Sequence, residues 1–558
     1  MDDLELEDIP ILLAVRCGCL GTVFRLLSEN ADVNARTSEG IGALALAAHA
    51  GDVRMLQLLL AAGASTEAAL ADGTTALMLA ATAGYTAVVQ CLLERGANAN
   101  AAMANGWTAL MLAVRYRHTE TAVALLESGA NPDTALPHGD CALMLAAHAG
   151  DAAMVLALLE GSASVNVVRS DGWSALMIAA QCGHTAAVQV LLLGGENADA
   201  DLADGATALM IAAQRGHAAT AQALLEGGAM VNVARADDRT ALMLAAENGH
   251  TAAVKVLLDG GGNANAILAD GGTALMIAVQ NDHAATAVAL LHGGAAVNAV
   301  TTSGWSALML AAQRGHAAAV QALMQGGGAA DATLPSGVTA LMLAAERGHA
   351  AAVTALLAHG ADANATVEDR WTALMLAAQH GHGPAAMALL ARGANPDAAL
   401  ADGWTALMLA AQEGHAATAA ALLAGGADAD AVAAYGLTAL MLAATNGHVE
   451  TAAVLLLGGA TLDAARLDGS TALPAAAAFP DMASVQVLLD ACALAVERSL
   501  AWQFADELAV SAAIGAQGLG HFPAVMADAA QRPWPPVEGQ ADAMDEVLSL
   551  GWSSSAEL

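Results

Sequence analysis

The feature that most constrains this chain is a repeat of 33 residues. An apolar anchor residue returns at this interval from Ile11 and Leu44 through to Leu473, without an insertion. A degenerate further copy, LAVSAAIG at 508–515, is offset by two residues. A period of this length is typical of stacked supersecondary units. Because such units bury their apolar faces only against their neighbours, the sequence predicts one long solenoid.

Each repeat contains two short helices and a loop. The segment TALMLAAQEGH at 405–415 has apolar residues at helical spacing before a glycine. A second helical segment, AATAAALLAGGA at 416–427, ends in Gly-Gly, and DADAVAAYG at 428–436 carries turn residues. Helices of about two turns lie below the roughly 12–15 residues needed for independent stability. They must therefore be stabilised by stacking.

Two positions in the repeat predict local backbone structure. In the 14 repeats after the first, the residue two before the anchor is Thr or Ser in 12, with Gly42 and Cys141 as exceptions. Thr and Ser accept hydrogen bonds from the free amides at a helix start. A loop glycine, such as Gly73, is also present in 12 of the 14, with Asp238 and Arg370 in its place elsewhere. These residue types tolerate a positive φ, glycine best, so we expect a left-handed turn residue there.

This helix-turn-helix-loop unit resembles the ankyrin repeat, with TALMLAA where that family usually has TPLHLAA. The resemblance covers about residues 8–495 and implies an all-α repeat solenoid of stacked helix pairs, connecting hairpin loops and a concave protein-binding surface. Alanine replaces the family's proline, and methionine replaces its histidine. We expect an N-terminal capping repeat at 1–40, tandem repeats at 41–495, a degenerate C-terminal cap at 496–531, and a Pro-containing linker and disordered tail at 532–558.

Composition limits the partner classes. The chain has 19 Lys and Arg against 54 Asp and Glu, a net charge of −35. This charge disfavours nucleic acid and anionic membrane surfaces and favours protein partners with basic segments. No apolar run reaches the roughly 18–20 residues of a membrane span, and the acidic start MDDLELEDIP is unlike a targeting peptide. Six scattered cysteines form no zinc or disulfide pattern. We expect a soluble, monomeric solenoid in the cytoplasm, with the nucleus as the alternative compartment.

The methionines and histidines are periodic. Twelve of the 22 methionines directly follow the anchor leucine. Thioethers can bind Cu(I), but repeats packed about 8–10 Å apart separate the sulfurs, so we predict that they fill gaps between alanines. Ten of the 17 histidines begin the second helix, which favours a structural or surface role over a catalytic or metal-binding one. His380 and His382 form an HxH without Cys or carboxylate companions, a weak zinc signal.

Enzyme motifs are missing from the sequence. The glycine runs at 260–262 and 326–328 lack a following GK[ST], and neither a hydrolase elbow nor a kinase loop set appears. We therefore predict no catalytic residues, no cofactor and no metal.

The residue between the loop glycine and the capping Thr or Ser varies most, and we interpret this variation as exposure. Five of the eight tryptophans occupy it, and Trp is enriched among interface hot spots. The alternative is that each ring shields the apolar hairpin row. A second variable position lies two residues before the histidine. The candidate partner-binding residues at these two positions are Trp107, Trp173, Trp305, Trp371, Trp404, Arg239, Arg215, Arg314 and Arg347. We expect the densest patch at Trp305, Trp371 and Trp404, with Arg314 and Arg347 nearby.

Two functions follow from this pattern. The first is a non-enzymatic scaffold or adaptor that binds proteins on its concave face and hairpin tips. The alternative is a substrate-recognition subunit of an enzyme complex, such as a ubiquitin ligase, docked through residues 532–558. A direct enzyme would require a site without a recognised motif.

Overall fold

The computed structural model describes residues 9–461, 489–491 and 493–494. The chain divides into an N-terminal unit, residues 1–263, and a C-terminal unit, residues 264–558. The anchor Leu473 and the predicted segments 496–531 and 532–558 lie outside the described residues.

In the N-terminal unit, odd-numbered helices are the first and even-numbered helices the second of each repeat. They are α1 Pro10–Arg16, α2 Leu20–Ser28, α3 Ala43–Ala50, α4 Val53–Ala61, α5 Ala76–Ala83, α6 Thr86–Glu94, α7 Ala109–Arg115, α8 Thr119–Glu127, α9 Ala142–Ala149, α10 Ala152–Glu160, α11 Ala175–Cys182, α12 Thr185–Leu193, α13 Ala208–Arg215, α14 Ala218–Glu226, α15 Ala241–Glu247 and α16 Thr251–Asp259.

The C-terminal unit continues the same alternation. Its helices are α17 Ala274–Gln280, α18 Ala284–His292, α19 Ala307–Arg314, α20 Ala317–Gln325, α21 Ala340–Glu346, α22 Ala350–Ala358, α23 Ala373–Gln379, α24 Gly383–Leu390, α25 Ala406–Gln412, α26 Ala416–Ala424, α27 Ala439–Thr445 and α28 Val449–Leu457. Two short 3-10 helices, Glu368–Arg370 and Ala434–Gly436, lie in its hairpins.

The core of each unit is made by the repeated TALM block. Within a unit, first helices pack against the first helices of adjacent repeats, and second helices pack against second helices. Leu77, Met78, Ala80 and Ala81 are all buried, as are the corresponding residues of the other described repeats. Small alanines let the helices approach closely, and the flexible methionines fill the remaining space. The repeat solenoid is confirmed, and the burial of the methionines agrees with the predicted packing role.

Side chains cap the first helices as the sequence predicts. Met78 N donates to Thr75 Oγ1 at 3.4 Å, and Met408 N donates to Thr405 Oγ1 at the same distance. Gly42 and Cys141, the two exceptions, make no side-chain cap bond. The cap at the helix start is therefore retained although alanine stands in place of the proline.

Each loop of the described tandem repeats doubles back as a tight hairpin. Ala69 forms an antiparallel bridge with Thr75, and Leu70 N donates to Thr74 O at 2.9 Å. Gly73 closes the turn with φ +87°, and a Cβ there would lie 3.1 Å from Met103 Cα of the next hairpin. Glycine thus allows both the positive φ of the turn and the close approach of successive hairpins.

Two hairpins have another residue in place of this glycine, and the one at Arg370 also has a positive φ at Asp369, +58°. Asp238 has φ +63° and Arg370 has φ +66°. The predicted left-handed turn residue is confirmed in both. No helix of the described residues is long and apolar enough to cross a membrane.

Candidate protein-interaction surface

The variable position of each hairpin, here called the tip position, lies over the first helix of its own repeat. The Trp107 ring centroid is 5.3 Å from Arg115 Cζ, eight residues further along the chain. Arg239 Nη1 is 2.8 Å from Glu247 Oε2, the equivalent pair in another repeat. A side chain at the tip position therefore folds back onto the helix instead of projecting into solvent.

This geometry corrects the expectation that variation means exposure. Trp371 is 7% exposed and Trp404 is 8% exposed. Trp107, Trp173 and Trp305 are half-buried. Successive hairpins approach to van der Waals distance, which leaves little open surface at the tip position. The position varies because side chains of different size fit between hairpin and helix.

The correction changes the composition of the expected patch. Of Trp305, Trp371 and Trp404, only Trp305 is more than marginally accessible. The burial of Trp371 and Trp404 agrees with the alternative role considered for the row, in which each ring shields the hairpins. Among the tryptophans that the structure describes, those accessible to a partner are thus Trp107 and Trp173 in the N-terminal unit and Trp305 in the C-terminal unit.

The arginines also separate into two groups. Arg215 and Arg314 are exposed at the ends of α13 and α19, and Arg347 is exposed directly after α21. Arg239, in contrast, is paired with Glu247 and, at 3.4 Å, with Asp237.

The partner of Arg239 is itself partly withdrawn from solvent. Burial raises the pKa of the Glu247 carboxyl, and the charge of Arg239 lowers it in opposition. The guanidinium compensates the charge of a half-buried carboxylate, so Arg239 is engaged within its own repeat and is less suited to binding a partner.

Acidic side chains form a row that the sequence analysis missed. They precede the loop glycine or its replacement, and they are exposed at Asp72, Asp171, Asp204, Asp237, Asp270, Asp369 and Asp402. Asp72 Oδ1 accepts from Thr74 N at 2.9 Å, and Asp270 Oδ1 accepts from Gly272 N at 2.8 Å. Hydrogen bonding to Thr74 lowers the pKa of Asp72. The recurring Asp before the loop glycine was the available signal for this negative row.

A second missed row joins successive repeats. Asn100 Oδ1 accepts from Asn131 N at 2.6 Å, and Asn364 Oδ1 accepts from Asn395 N at 2.7 Å. Asn364 Nδ2 also donates to Gly393 O at 3.0 Å. Asn or Asp recurs ten residues before most anchors, which signals the row in retrospect. Because these side chains form hydrogen bonds between repeats, they stabilise the stack and do not belong to the binding surface.

The periodic histidines have the predicted structural role. His217 Nε2 donates to Gln181 O at 3.0 Å, and His415 Nε2 donates to Gln379 O at 3.1 Å, each bond reaching the preceding repeat. A Cβ on Gly183 would lie 2.6 Å from His217 Nδ1, so the imidazole ring covers the glycine that ends the first helix of the preceding repeat. Burial lowers the pKa of His382, which favours the neutral ring. Among the described residues, no group of three His, Cys, Asp or Glu side chains is placed to hold a metal.

The stacked helix pairs define a helical-repeat protein. A family model described as ankyrin repeats, three copies, matches overlapping windows that together cover residues 11–498 except 136–142. The chain belongs to the ankyrin-repeat family. A comparison with curated proteins gives no match. Ankyrin repeats are protein–protein interaction modules and typically lack enzymatic activity, so protein partners follow from the family.

Proposed function

We propose that the protein is a non-enzymatic cytoplasmic scaffold or adaptor that binds basic protein segments on its hairpin tips and first helices. The observation that carries this proposal is the combination of half-buried tryptophans with a row of exposed carboxylates. A ring held by its own repeat loses little conformational entropy on binding, which suits it to an interface. The carboxylates would attract a basic segment and align it.

The repeat around Trp305 is the strongest location. Trp305 N donates to Thr301 Oγ1 at 3.0 Å, which fixes the tip of this hairpin. The exposed Arg314 belongs to the same repeat, and the exposed Asp270 belongs to the preceding hairpin. An apolar ring in a region that also exposes both charges favours a segment that carries apolar and charged side chains.

The test compares Trp305→Ala with Trp404→Ala. Proteins captured from a lysate by the wild-type chain would be identified, and the basic segment of a captured protein would be titrated as a synthetic peptide. We expect Trp305→Ala to weaken peptide binding by about 2 kcal/mol or more, the size of an interface hot spot, while lowering thermal stability less than Trp404→Ala does. Added salt should weaken binding further because the carboxylates are exposed. Equal binding by Trp305→Ala and wild type would contradict the proposed surface.

A chain ending at residue 531 separates this proposal from the enzyme-complex alternative. If residues 532–558 dock a ubiquitin ligase, the shortened chain should lose ligase subunits but keep other captured proteins. Retention of every captured protein would favour a scaffold that works through its repeats alone.

A further inference from the structure

One buried position breaks the pattern of the repeats. Twenty residues after each anchor, the described repeats have Ala or Gly, except for Glu196. The small residues at this position are Ala31, Ala64, Ala97, Ala130, Ala163, Ala229, Gly262, Ala295, Gly328, Ala361, Ala394, Ala427 and Ala460. Glu196 is only 5% exposed. A carboxyl group therefore occupies a site that the rest of the solenoid fills with a methyl group or less.

The carboxyl group reaches the start of the first helix in its own repeat. Leu176 N, in the first turn of α11, donates to Glu196 Oε1 at 2.9 Å. The hydroxyl of Ser174, which caps α11, also hydrogen bonds to the carboxyl group. Glu196 Oε2 is buried and has no hydrogen-bond partner in the described part of the chain. Glu196 thus links the loop after α12 to the start of α11, in addition to the bond that Asn197 N donates to Asn166 Oδ1 at 3.0 Å.

The ionisable groups of the surrounding elements are engaged elsewhere. Arg169 of the hairpin pairs with Asp140 at 3.4 Å and with Asp171. His184 at the start of α12 bonds to the backbone of α9 at 3.1 Å. Asp199 in the following loop accepts from a backbone amide at 2.8 Å.

Burial and local hydrogen bonds shift the pKa of the Glu196 carboxyl in opposite directions. Burial raises its pKa to about 7, against hydrogen bonds from Leu176 and Ser174 that lower it. Among the described residues, Oε2 has no partner in either protonation state, but burying an unpaired charge costs far more than burying a neutral hydroxyl group. The neutral form is therefore the one that fits the closed repeat.

We propose that Glu196 makes the repeat at residues 174–206 a proton-dependent weak point of the N-terminal unit. When Glu196 is protonated, it stays buried and joins the loop after α12 to the start of α11. When the proton passes to solvent, the carboxylate leaves the core and this loop opens. This device adds to the proposed function, because Trp173 directly precedes the Ser174 cap and its hairpin would respond to the opening.

The sign of the pH effect follows from linkage. In the open form the carboxyl is solvated and titrates near the ordinary value of about 4.3. In the closed form it titrates near 7, so the closed form binds the proton more tightly. The stabilising effect is fully present below the open-state pKa and is lost as the pH rises through the closed-state value. Between pH 6 and 8, the opening equilibrium should increase about tenfold.

Hydrogen–deuterium exchange of the full chain at pH 6 and pH 8 tests the proposal, with rates corrected for the intrinsic pH dependence of exchange. Peptides covering 174–200 would be compared with the equivalent peptides at 207–233. We expect about a tenfold loss of protection at pH 8 in the first set and no comparable loss in the second.

Two variants provide matched controls. Glu196→Ala installs the residue of neighbouring repeats, and Glu196→Gln keeps the hydrogen-bond acceptor without the charge. Both should remove the pH response at 174–200. Persistence of the tenfold change in both variants, or its absence in the wild-type chain, would overturn the proposal. Neither measurement needs a binding partner, so failure here is distinguishable from failure of the proposed interaction surface.

Discussion

The first helices and the hairpin tips share one 33-residue period but differ in how the sequence constrains them. In the first helices, a nearly constant TALM block coincides with uniform burial. At the tip position, residues as different as Trp404, Val338 and Leu437 are also buried. The two regions differ in the range of residue types that they accept, and not only in how deeply those residues are buried. The helix core packs against fixed neighbours on every side, whereas the tip lies between hairpin and helix and accepts several shapes.

The largest expected effect comes from removing a buried tip residue. Replacing Trp404 by Ala should cost about 3 kcal/mol of unfolding free energy, because a buried aromatic ring is lost and a cavity remains. The same change at the half-buried Trp305 should cost about 1 kcal/mol. Thermal and denaturant unfolding of both variants measure the difference. Equal losses at the two positions would show that burial does not separate structural from interaction tryptophans.

A change in the helix core should have the next largest effect. Ala410 is fully buried in α25, so Ala410→Leu introduces side-chain volume between packed first helices. Overpacking of this kind should cost about 2 kcal/mol. Denaturant unfolding measures the loss, and circular dichroism should still show a helical protein. An unchanged midpoint would mean that the first helices separate more easily than their close packing indicates.

A backbone change in the hairpin tests the turn itself. Arg370 adopts φ +66° where most repeats have glycine. A non-glycine residue in the left-handed region costs about 1–2 kcal/mol, so Arg370→Gly should raise stability by about 1 kcal/mol after the entropy of glycine is subtracted. The reference variant is Gly403→Arg, which places arginine in the next hairpin. It should lower the melting temperature, and a gain there would contradict the turn assignment.

The smallest effect is expected in the methionine row. Met408 is buried in α25, and Leu has nearly the same volume. Met408→Leu should change the free energy of unfolding by about 0.5 kcal/mol, within the range of volume-conserving replacements. Elemental analysis of both proteins provides an independent check. One or more copper ions per wild-type chain, reduced in the variant, would contradict a purely packing role.

Features that depend on neighbours along the chain could be predicted from the amino-acid sequence alone. Helical spacing and the Gly stops indicate the two helices, and Thr and Ser indicate the caps. Asp238 and Arg370 could be placed in left-handed turns because they stand where the period has glycine in the other repeats. Because the methionines and histidines recur in repeat after repeat, they could be interpreted as structural residues and not as parts of a single metal-binding or catalytic site. These inferences needed no knowledge of how one repeat contacts the next.

The tertiary structure decided what depends on residues about 30 positions apart or on the depth of a side chain. It placed Trp371 and Trp404 in buried positions, joined Asn100 to the following repeat, and enclosed Glu196 where other repeats have a small residue. A repeat period specifies which positions are equivalent. It does not specify how much of the side chain at each position the neighbouring hairpins shield from solvent. Burial and inter-repeat hydrogen bonds arise only when the repeats stack, because the contacting groups belong to different repeats or to both ends of one repeat.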